Sequence, residues 1–309
     1  MKHVQTRSAL KLATLATAAA ALTTLTVGAA AEPHAPTRAA PDVAAPRGSH
    51  WTLAWSDEFN RGPADLRGWH YDIGGGGWGN NESETYTRST KNAYVAHGRL
   101  HMVVIGKRRH GKTYYTSARI NTRNIFSQKY GLFEFRARLP AGPGLWPAIW
   151  MMPEKSVYGG WPRSGEIDIM EARGDRLHRV QGSLHSGPAW NQDNTQTKVY
   201  VLPRNQTITG WHTYTLEWEP AKRSSKGGAR QVAIKWFVDG HLYETQRGGW
   251  TDPSPHAGNG GAAPFNRRFD IIMNLAVGGN YTDHKTPGPG RYVMEVDFVR
   301  AYRLSGKGR

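Results

Sequence analysis

The residues best suited to chemistry lie in the segment "WPRSGEIDIMEARGD" (161–175), which carries three closely spaced carboxylates. Glu166 and Asp168 are two positions apart, so a regular strand would point both to one face. Glu171 is three positions beyond Asp168, and a regular strand would point it to the opposite face. A β-bulge at Ile169-Met170 would insert one residue and return Glu171 to the face of the other two acids.

Three carboxylates on one face of a half-buried strand repel one another unless one of them keeps its proton. Such an arrangement lowers stability and is typical of sites that perform chemistry. Two carboxyl groups about 5 Å apart, one protonated and one ionised, are what the retaining hydrolysis of a glycosidic bond requires. Spacing alone leaves three interpretations open, because acid-rich strands also bind metals or face solvent.

Short alternating runs rich in Val, Ile, Tyr, Phe and Trp must position these acids. They are separated by Gly, Pro and Asn, and almost nothing after residue 50 has a helical period. The run "QVAIKWFVDGHLYET" turns over at Asp239-Gly240, a strong hairpin signal. Many strands about ten residues apart without helices between them predict an all-β, antiparallel β-sandwich. One sandwich over residues 51–304 accounts for the pattern.

The composition limits the function classes. The chain of 309 residues has no cysteine, which excludes disulfides, thiol nucleophiles and thiolate metal sites. The net charge is +16, but the basic residues are scattered, with small clusters at "GKRRHGK" and "KRSSKGG" that look like hairpin tips. Nucleic-acid binding would favour a basic stripe or a known binding fold, so solvated charge is the better interpretation and no nucleic-acid partner is expected.

The first 31 residues differ from the rest. Lys2, Arg7 and Lys11 precede an apolar run that ends at Val27 and is followed by "GAAAEP". This pattern predicts a signal peptide over 1–31 and a secreted, extracellular protein. A membrane anchor is less favoured, because the run is short and rich in Ala and Thr. We expect a disordered Pro/Ala-rich leader over 32–50, a short tail over 305–309, and a monomer.

The segment "GEIDIME" resembles the E-x-D-x-x-E signature of glycoside hydrolase family 16 in its bulged form, typical of laminarinase-like endo-β-1,3-glucanases. Lichenase-like members carry the unbulged form E-x-D-x-E. Further segments agree in family order: "WSDEFN", "GGGGWGNNESETYT", "YTSARINT", "YGLFEFRARLP", "GLWPAIWMMP", "GSLHS", "WHTYTLEWEP", "KWFVDG", "FDIIMNLAVGGNY" and "MEVDFVRAYR". The resemblance covers residues 51–303 and implies a concanavalin-like jelly roll with a concave substrate cleft.

Carried over residue by residue, the resemblance implies that Glu166 is the nucleophile and Glu171 the general acid/base. Asp168 would orient the nucleophile and help to set the proton distribution. The implied reaction is endo-hydrolysis of laminarin- or curdlan-type β-1,3-glucan, with mixed-linkage β-1,3-1,4-glucan as a further substrate. It proceeds by retaining double displacement and requires no cofactor.

The residues expected to bind sugar fall into two groups. Trp146, Trp150 and Trp161 flank the acids, and their flat faces suit pyranose rings while their N–H groups suit a hydroxyl. Trp150, between Ile149 and Met151, fits a core position about equally well. The resemblance adds four residues that contact sugar or the catalytic acids in the family: Asn80, Arg119, His185 and Asn274. His185 also fits an ordinary loop-end histidine.

The resemblance also implies a structural calcium, held largely by backbone oxygens and one aspartate, at positions that match Glu58, Gly98 and Asp297. Two long loops, 221–231 and 250–268, depart from the family pattern, so fine specificity stays open. One alternative is a hydrolase of the same fold acting on another polysaccharide such as a galactan. Another is a non-catalytic β-glucan-binding protein, which is less favoured because all three acids are present.

Overall fold

The computed structural model describes residues 51–62, 66–222, 231–251, 253 and 262–305. The predicted signal peptide, the leader, the tail apart from Ser305, most of the loop 221–231 and about half of the loop 250–268 lie outside the described residues. Within these ranges, the only helices are two short 3-10 turns, Trp190–Gln192 and Asn280–Thr282, and no helix is long and apolar enough to cross a membrane. The strands are β1 (Trp51–Asp57), β2 (His70–Tyr71), β3 (Glu84–Tyr86), β4 (Ala93–Ala96), β5 (Arg99–Arg109), β6 (Lys112–Ser117), β7 (Arg119–Asn121), β8 (Ser127–Gln128), β9 (Gly131–Arg138), β10 (Leu145–Pro153), β11 (Glu166–Ala172), β12 (Arg179–Ser186), β13 (Asn194–Val201), β14 (His212–Lys222), β15 (Gln231–Val238), β16 (His241–Gln246), β17 (Phe269–Val277) and β18 (Gly290–Leu304).

The described strands form two sheets. The larger has the order β16-β15-β14-β9-β18-β5-β6-β3, with β1 also paired to β18 and β4 to β5. The smaller has the order β13-β12-β11-β10-β17-β7-β2, with β8 also paired to β17. All these pairs are antiparallel except β3 with β6. The predicted all-β, antiparallel sandwich is confirmed.

Large apolar side chains from both sheets fill the space between them. Trp218 of β14 meets Phe269 of β17 edge to face, with ring centroids 5.4 Å apart. Phe133 and Phe135 alternate along β9 toward the same core and are fully buried. Burying one such side chain contributes about 1.5–3 kcal/mol, so a core of this kind holds without disulfides.

The hairpin predicted at Asp239-Gly240 joins β15 to β16. Both residues have positive φ, 50° and 78°, and Val238 pairs with His241 across the turn. Two left-handed residues are what a type I′ turn needs, and Gly adopts this conformation without a Cβ penalty. The cluster "GKRRHGK" also forms a hairpin tip, between β5 and β6. The second cluster, "KRSSKGG", lies almost entirely outside the described residues.

The predicted bulge in β11 is confirmed by its register with β12. Asp168 pairs with Ser183, but Glu171 pairs with Gln181, so three steps along β11 match two along β12. The extra residue lies within Ile169-Met170, opposite Gly182. The bulge brings Glu171 onto the face of Glu166 and Asp168, as its spacing required.

A tryptophan from the opposite sheet fastens this bulge. The indole Nε1 of Trp236, on β15, crosses the core and donates to the carbonyl oxygen of Asp168 at 2.8 Å. Gly182 leaves room for this indole, because a Cβ at that position would overlap the Trp236 ring. The position of the acids therefore depends on a contact made between the two sheets.

Removing the indole N–H should destabilise the bulge specifically. We expect Trp236→Phe to lower the free energy of unfolding by about 1–3 kcal/mol more than Trp218→Phe, because only the former breaks a buried hydrogen bond. Both indoles are buried, and within the described residues the Trp218 Nε1 has no hydrogen-bond partner. Urea unfolding of both variants tests this. Equal losses would show that ring size alone matters.

Candidate active site

The outer face of the smaller sheet carries a cleft of about 580 Å³ that contains the three acids. The bulge places Glu166, Asp168 and Glu171 of β11 along its floor. Asp168 and Glu171 are buried and Glu166 is half-buried, so the cluster is only partly open to water. The mutual repulsion of three carboxylates in this setting requires donors or a cation nearby.

Glu166 is held by a tryptophan and faces a histidine. The Trp161 Nε1 donates to Glu166 Oε2 at 2.8 Å. The His185 Nε2, on the neighbouring strand β12, lies 3.1 Å from Asp168 Oδ2 and 3.9 Å from Glu166 Oε1. The second ring nitrogen of His185, Nδ1, lies 2.6 Å from Asp193 Oδ2.

Glu171 is held by two donors. The Trp146 Nε1 donates to Glu171 Oε1 at 2.9 Å, and the Gln181 Nε2 donates to Oε2 at 3.1 Å. Two neutral donors fix the direction of the carboxyl group without supplying a full countercharge. The negative charge of Asp168 can therefore still raise the pKa of Glu171.

Burial and the charge of Asp168 raise the pKa of both glutamates. Burial, and then the charge of Asp168, raise the pKa of Glu171 to about 7, against the hydrogen bonds from Gln181 and Trp146 and the charge of His185. Burial, and then the charge of Asp168, also raise the pKa of Glu166 well above its ordinary range, against the opposing charge of His185 and the hydrogen bond from the Trp161 N–H.

His185 is the countercharge of the cluster. Burial lowers the pKa of His185, but the carboxylates of Asp168, Glu166 and Asp193 outweigh burial and raise it to about 11. The ring is therefore an imidazolium at neutral pH. This charge favours the ionised form of the carboxylates that face it.

The other wall of the cleft presents planar and amide groups. The Arg119 guanidinium lies over Trp150 and over Trp78, 4.7 Å from each ring centroid, and its Nε donates to Asp72 at 3.0 Å. The Trp150 Nε1 donates to Asn274 Oδ1 at 2.7 Å. These contacts lock Trp150 with one side toward the cleft, which decides against a pure core position.

Asn80 and Asn274 connect to a second acidic group on this wall. The Asn80 Nδ2 donates to Glu82 Oε1 at 3.3 Å, and the Tyr86 hydroxyl donates to Glu82 Oε2 at 3.0 Å. The Asn274 Nδ2 donates to the Tyr86 hydroxyl at 3.0 Å. The wall is therefore a connected hydrogen-bond network and holds its shape.

All ten residues expected to act on or bind sugar line this one cleft. They are Asn80, Arg119, Trp146, Trp150, Trp161, Glu166, Asp168, Glu171, His185 and Asn274. One expectation about them needs correction. The N–H groups of the three predicted tryptophans were expected to bind a sugar hydroxyl, but they donate to Glu171, Asn274 and Glu166 instead.

Several residues of the cleft escaped the sequence analysis, namely Trp78, Glu82, Gln181, Trp190, Asp193 and Tyr281. Trp190 is 62% exposed and packs on Trp161, with ring centroids 4.6 Å apart. Tyr281 packs on Trp146 at 4.9 Å. Trp78 and Glu82 lie within "GGGGWGNNESETYT", a segment that the family resemblance already marked, whereas no sequence pattern marked loop residues such as Trp190.

Two sets of residues in the protein could be considered as ligands of a metal ion. Ligand atoms of Glu166, Asp168 and His185 lie within 4.8 Å of one another. A metal ion bound there would have to displace the proton that the carboxylates of Asp168 and Asp193 favour on His185.

The calcium positions implied by the resemblance do not fit a cation as they are arranged. The carboxylate of Asp297 accepts from Arg136 Nη1 at 2.6 Å and lies 3.8 Å from Arg99 Nε. Glu58 is bound by Arg300 at 2.8 and 2.9 Å, and Gly98 lies in the turn before β5 with φ of 67°. The arginines already neutralise the carboxylate that calcium would need.

Comparison with known proteins agrees with this geometry. The family model for "Glycosyl hydrolases family 16" matches residues 80–256. The chain is 41% identical over 267 residues to "Beta-glucanase" of Rhodothermus marinus, covering 82% of this chain and 86% of that protein. It is 39% identical over 269 residues to "Glucan endo-1,3-beta-glucosidase A1" of Niallia circulans, covering 81% of this chain but only 38% of that protein.

The fold agrees with a solved structure. The laminarinase from Rhodothermus marinus superposes with a TM-score of 0.70 at 38% identity, covering 84% of this chain and all of the other.

The raised pKa of Glu171 should make the free energy of unfolding depend on pH. A carboxyl group with a folded-state pKa of about 7 and an ordinary value of 4.5 contributes stability at low pH, and this contribution is lost as the pH rises through that window. We expect Glu171→Gln to be more stable relative to wild type at pH 8 than at pH 5, by on the order of 2 kcal/mol.

Urea unfolding at the two pH values measures this difference. Asp175→Asn is a matched control, because hydrogen bonds from Arg173 lower the pKa of Asp175 to about 2, so its effect should be the same at both pH values. A pH-independent effect of Glu171→Gln would contradict the assigned protonation.

Proposed function

Because the chain belongs to glycosyl hydrolases family 16, we propose that it is a secreted, endo-acting hydrolase of laminarin- or curdlan-type β-1,3-glucan that also accepts mixed-linkage β-1,3-1,4-glucan. The observation that carries the proposal is the bulge, which places Glu166 and Glu171 on one face of an aromatic cleft. Relatives named as a β-glucanase and an endo-1,3-β-glucosidase, 41% and 39% identical, support the substrate class.

Glu166 and Glu171 divide the chemistry. Glu166 attacks the anomeric carbon and forms a covalent glycosyl-enzyme, while Glu171 donates its proton to the leaving glycosidic oxygen. Glu171, now ionised, removes a proton from a water molecule. The water oxygen attacks the anomeric carbon and breaks its bond to Glu166, so the sugar is released with retained configuration. A pKa of about 7 suits a group that must act first as acid and then as base near neutral pH.

Asp168 sets the proton distribution between the two glutamates. Its charge raises the pKa of Glu171, which keeps the acid protonated. The same charge also raises the pKa of Glu166, and this effect is unfavourable for a nucleophile. The imidazolium of His185, with Nε2 3.9 Å from Glu166 Oε1, acts in the opposite direction and lowers the pKa of Glu166.

The tryptophans are assigned to sugar binding through their ring faces. The N–H groups of Trp146 and Trp161 hold the two glutamates, so only the planar surfaces remain for pyranose C–H groups. Arg119, Asn80 and Asn274 supply polar groups on the opposite wall. A flat surface beside each catalytic acid positions sugar rings on both sides of the bond to be cleaved.

The wider setting of the enzyme also follows from the proposal. A polysaccharide is too large to enter a cell, so a secreted location agrees with the signal peptide predicted over 1–31. Members of the family need no cofactor for catalysis. The monomeric state stays a prediction, whereas the residues at the implied calcium positions do not fit the ion, because arginines already pair with Asp297 and Glu58.

We expect Glu166→Gln to abolish hydrolysis while glucan binding survives, because the amide is nearly isosteric and the aromatic surfaces are untouched. The loss should be on the order of 6 kcal/mol in transition-state stabilisation. Reducing-sugar release from laminarin, curdlan, lichenan and agarose measures activity, and affinity electrophoresis in laminarin measures binding. Glu244→Gln, on β16 and outside the cleft lining, is the control for the loss of one charge.

More than a few per cent of wild-type rate in Glu166→Gln would refute the assignment of the nucleophile. Hydrolysis by the wild type of agarose alone would favour the galactan alternative. Binding of laminarin without any hydrolysis by the wild type would favour a recognition protein.

A further inference from the structure

His185 lies between two carboxylates, one of which belongs to neither the acid strand nor the family signature. Its Nε2 lies 3.1 Å from Asp168 Oδ2, and its Nδ1 lies 2.6 Å from Asp193 Oδ2. The Thr195 hydroxyl donates to the same Asp193 oxygen at 2.6 Å. The side chains of His185 and Asp193 are 19% and 16% exposed, so the contact between these two is largely shielded from solvent, whereas Thr195 is exposed.

We propose that Asp193 is a positioning residue that holds His185 as an imidazolium directed at Asp168 and Glu166, and that this cation favours the ionised form of the nucleophile. The inference rests on the proposed function, since it concerns the same reaction. Asp193 itself does not need to touch the substrate.

The orientation follows from hydrogen-bond chemistry. A carboxylate only accepts, so the 2.6 Å contact places a proton on Nδ1. The Nε2 then faces Asp168, and the second carboxylate favours a proton there too. Thr195 fixes Asp193, and Trp161 packs on the ring of His185 with centroids 5.7 Å apart.

The charge balance explains why the cation matters. Glu166 faces Asp168 and Glu171 on its own strand, His185 on β12, and the Trp161 N–H from the preceding loop. Among the described residues that line the cleft, Arg119 is the other cation, and it is paired with Asp72. His185 is therefore the positive charge beside three carboxylates, and losing it would raise the pKa of Glu166.

The test is the pH dependence of kcat/KM on laminarin. An amide in Asp193→Asn no longer stabilises the imidazolium, so we expect the acidic limb to move to higher pH by about one pH unit or more, with activity approaching wild type at alkaline pH. Asp193→Glu should restore part of the shift. Nitrogen-15 NMR of His185 should show a lowered histidine pKa in Asp193→Asn, a readout independent of turnover.

The chain contains a matched control. Asp239 lies 2.7 Å from Nδ1 of His212, the same chemistry outside the cleft lining. Asp239→Asn should leave the pH profile unchanged. A uniform rate loss without a shifted limb in Asp193→Asn, or an unchanged His185 titration, would overturn the inference. Wild-type enzyme without hydrolysis would instead overturn the proposed function.

A second feature stands apart from the cleft. A groove of about 590 Å³ lies along the β5–β6 hairpin and the 87–92 segment. Its lining includes four basic residues and no acid: Lys91, Lys107, Arg109 and His110. Within the described part of the chain, none of the four makes a salt bridge.

The strand geometry collects these groups on one face. Lys107 and Arg109 alternate along β5, and Lys107 pairs with Tyr114, whose side chain is 55% exposed. The positive charges of Lys91, Lys107 and Arg109 have no acidic partner in the groove and repel one another, and an anionic ligand would relieve this repulsion. We infer that this groove binds an anionic polysaccharide, with Tyr114 against a sugar ring and the cations on its acidic groups.

Binding of dextran sulfate, with uncharged dextran as the reference probe, tests the groove. We expect Lys107→Glu/Arg109→Glu to weaken dextran sulfate binding by roughly tenfold more than Lys155→Glu/Arg204→Glu, an equal charge change at exposed positions outside the groove. Equal weakening by both pairs would show attraction to net charge only and overturn the site. Tighter binding of duplex DNA than of dextran sulfate would overturn the ligand class.

Discussion

The hydrogen bond from Trp236 to the carbonyl oxygen of Asp168 is the constraint on which the site depends. A bulge interrupts the ladder between two strands and leaves backbone groups that need partners from elsewhere. Here the partner comes from the opposite sheet, through the core and past a glycine that leaves it room. The phase of Glu171 is therefore fixed by packing between sheets as well as by the local sequence of β11.

The site balances three acids with very little positive charge. The donors on Glu166 and Glu171 are the neutral N–H groups of Trp161 and Trp146, which orient a carboxyl group without fully stabilising its charge. With these donors Glu171 has a pKa of about 7, and the positive charge of the cluster comes from the His185 cation beside Asp168 and Glu166. A stronger countercharge beside Glu171 would stabilise the fold at neutral pH but remove the proton that the reaction needs.

The features that depend on strand periodicity and on turn residues could be predicted from the sequence. The three-residue spacing of Glu171 predicted the bulge, and Asp239-Gly240 predicted the hairpin, because strand phase and positive φ leave direct marks on residue choice. The partners of the acids could not be predicted in the same way. Gln181 depends on the register of β12, and Asp193 and Trp190 come from a loop whose path no local pattern determines. The arginines around Asp297 likewise require the pairing of both β9 and β5 with β18.

Binding and chemistry share the same side chains. Trp146 and Trp161 each present a ring to the cleft while the N–H on its edge holds one of the two glutamates. A sugar ring that contacts either indole can therefore shift the N–H group that is hydrogen-bonded to a catalytic carboxyl and orients it. The charge of Asp168 raises the pKa of both glutamates, so their protonation is linked. Displacement of one tryptophan should therefore alter the protonation of both acids. Substrate position and proton distribution are, on this geometry, set by one coupled network.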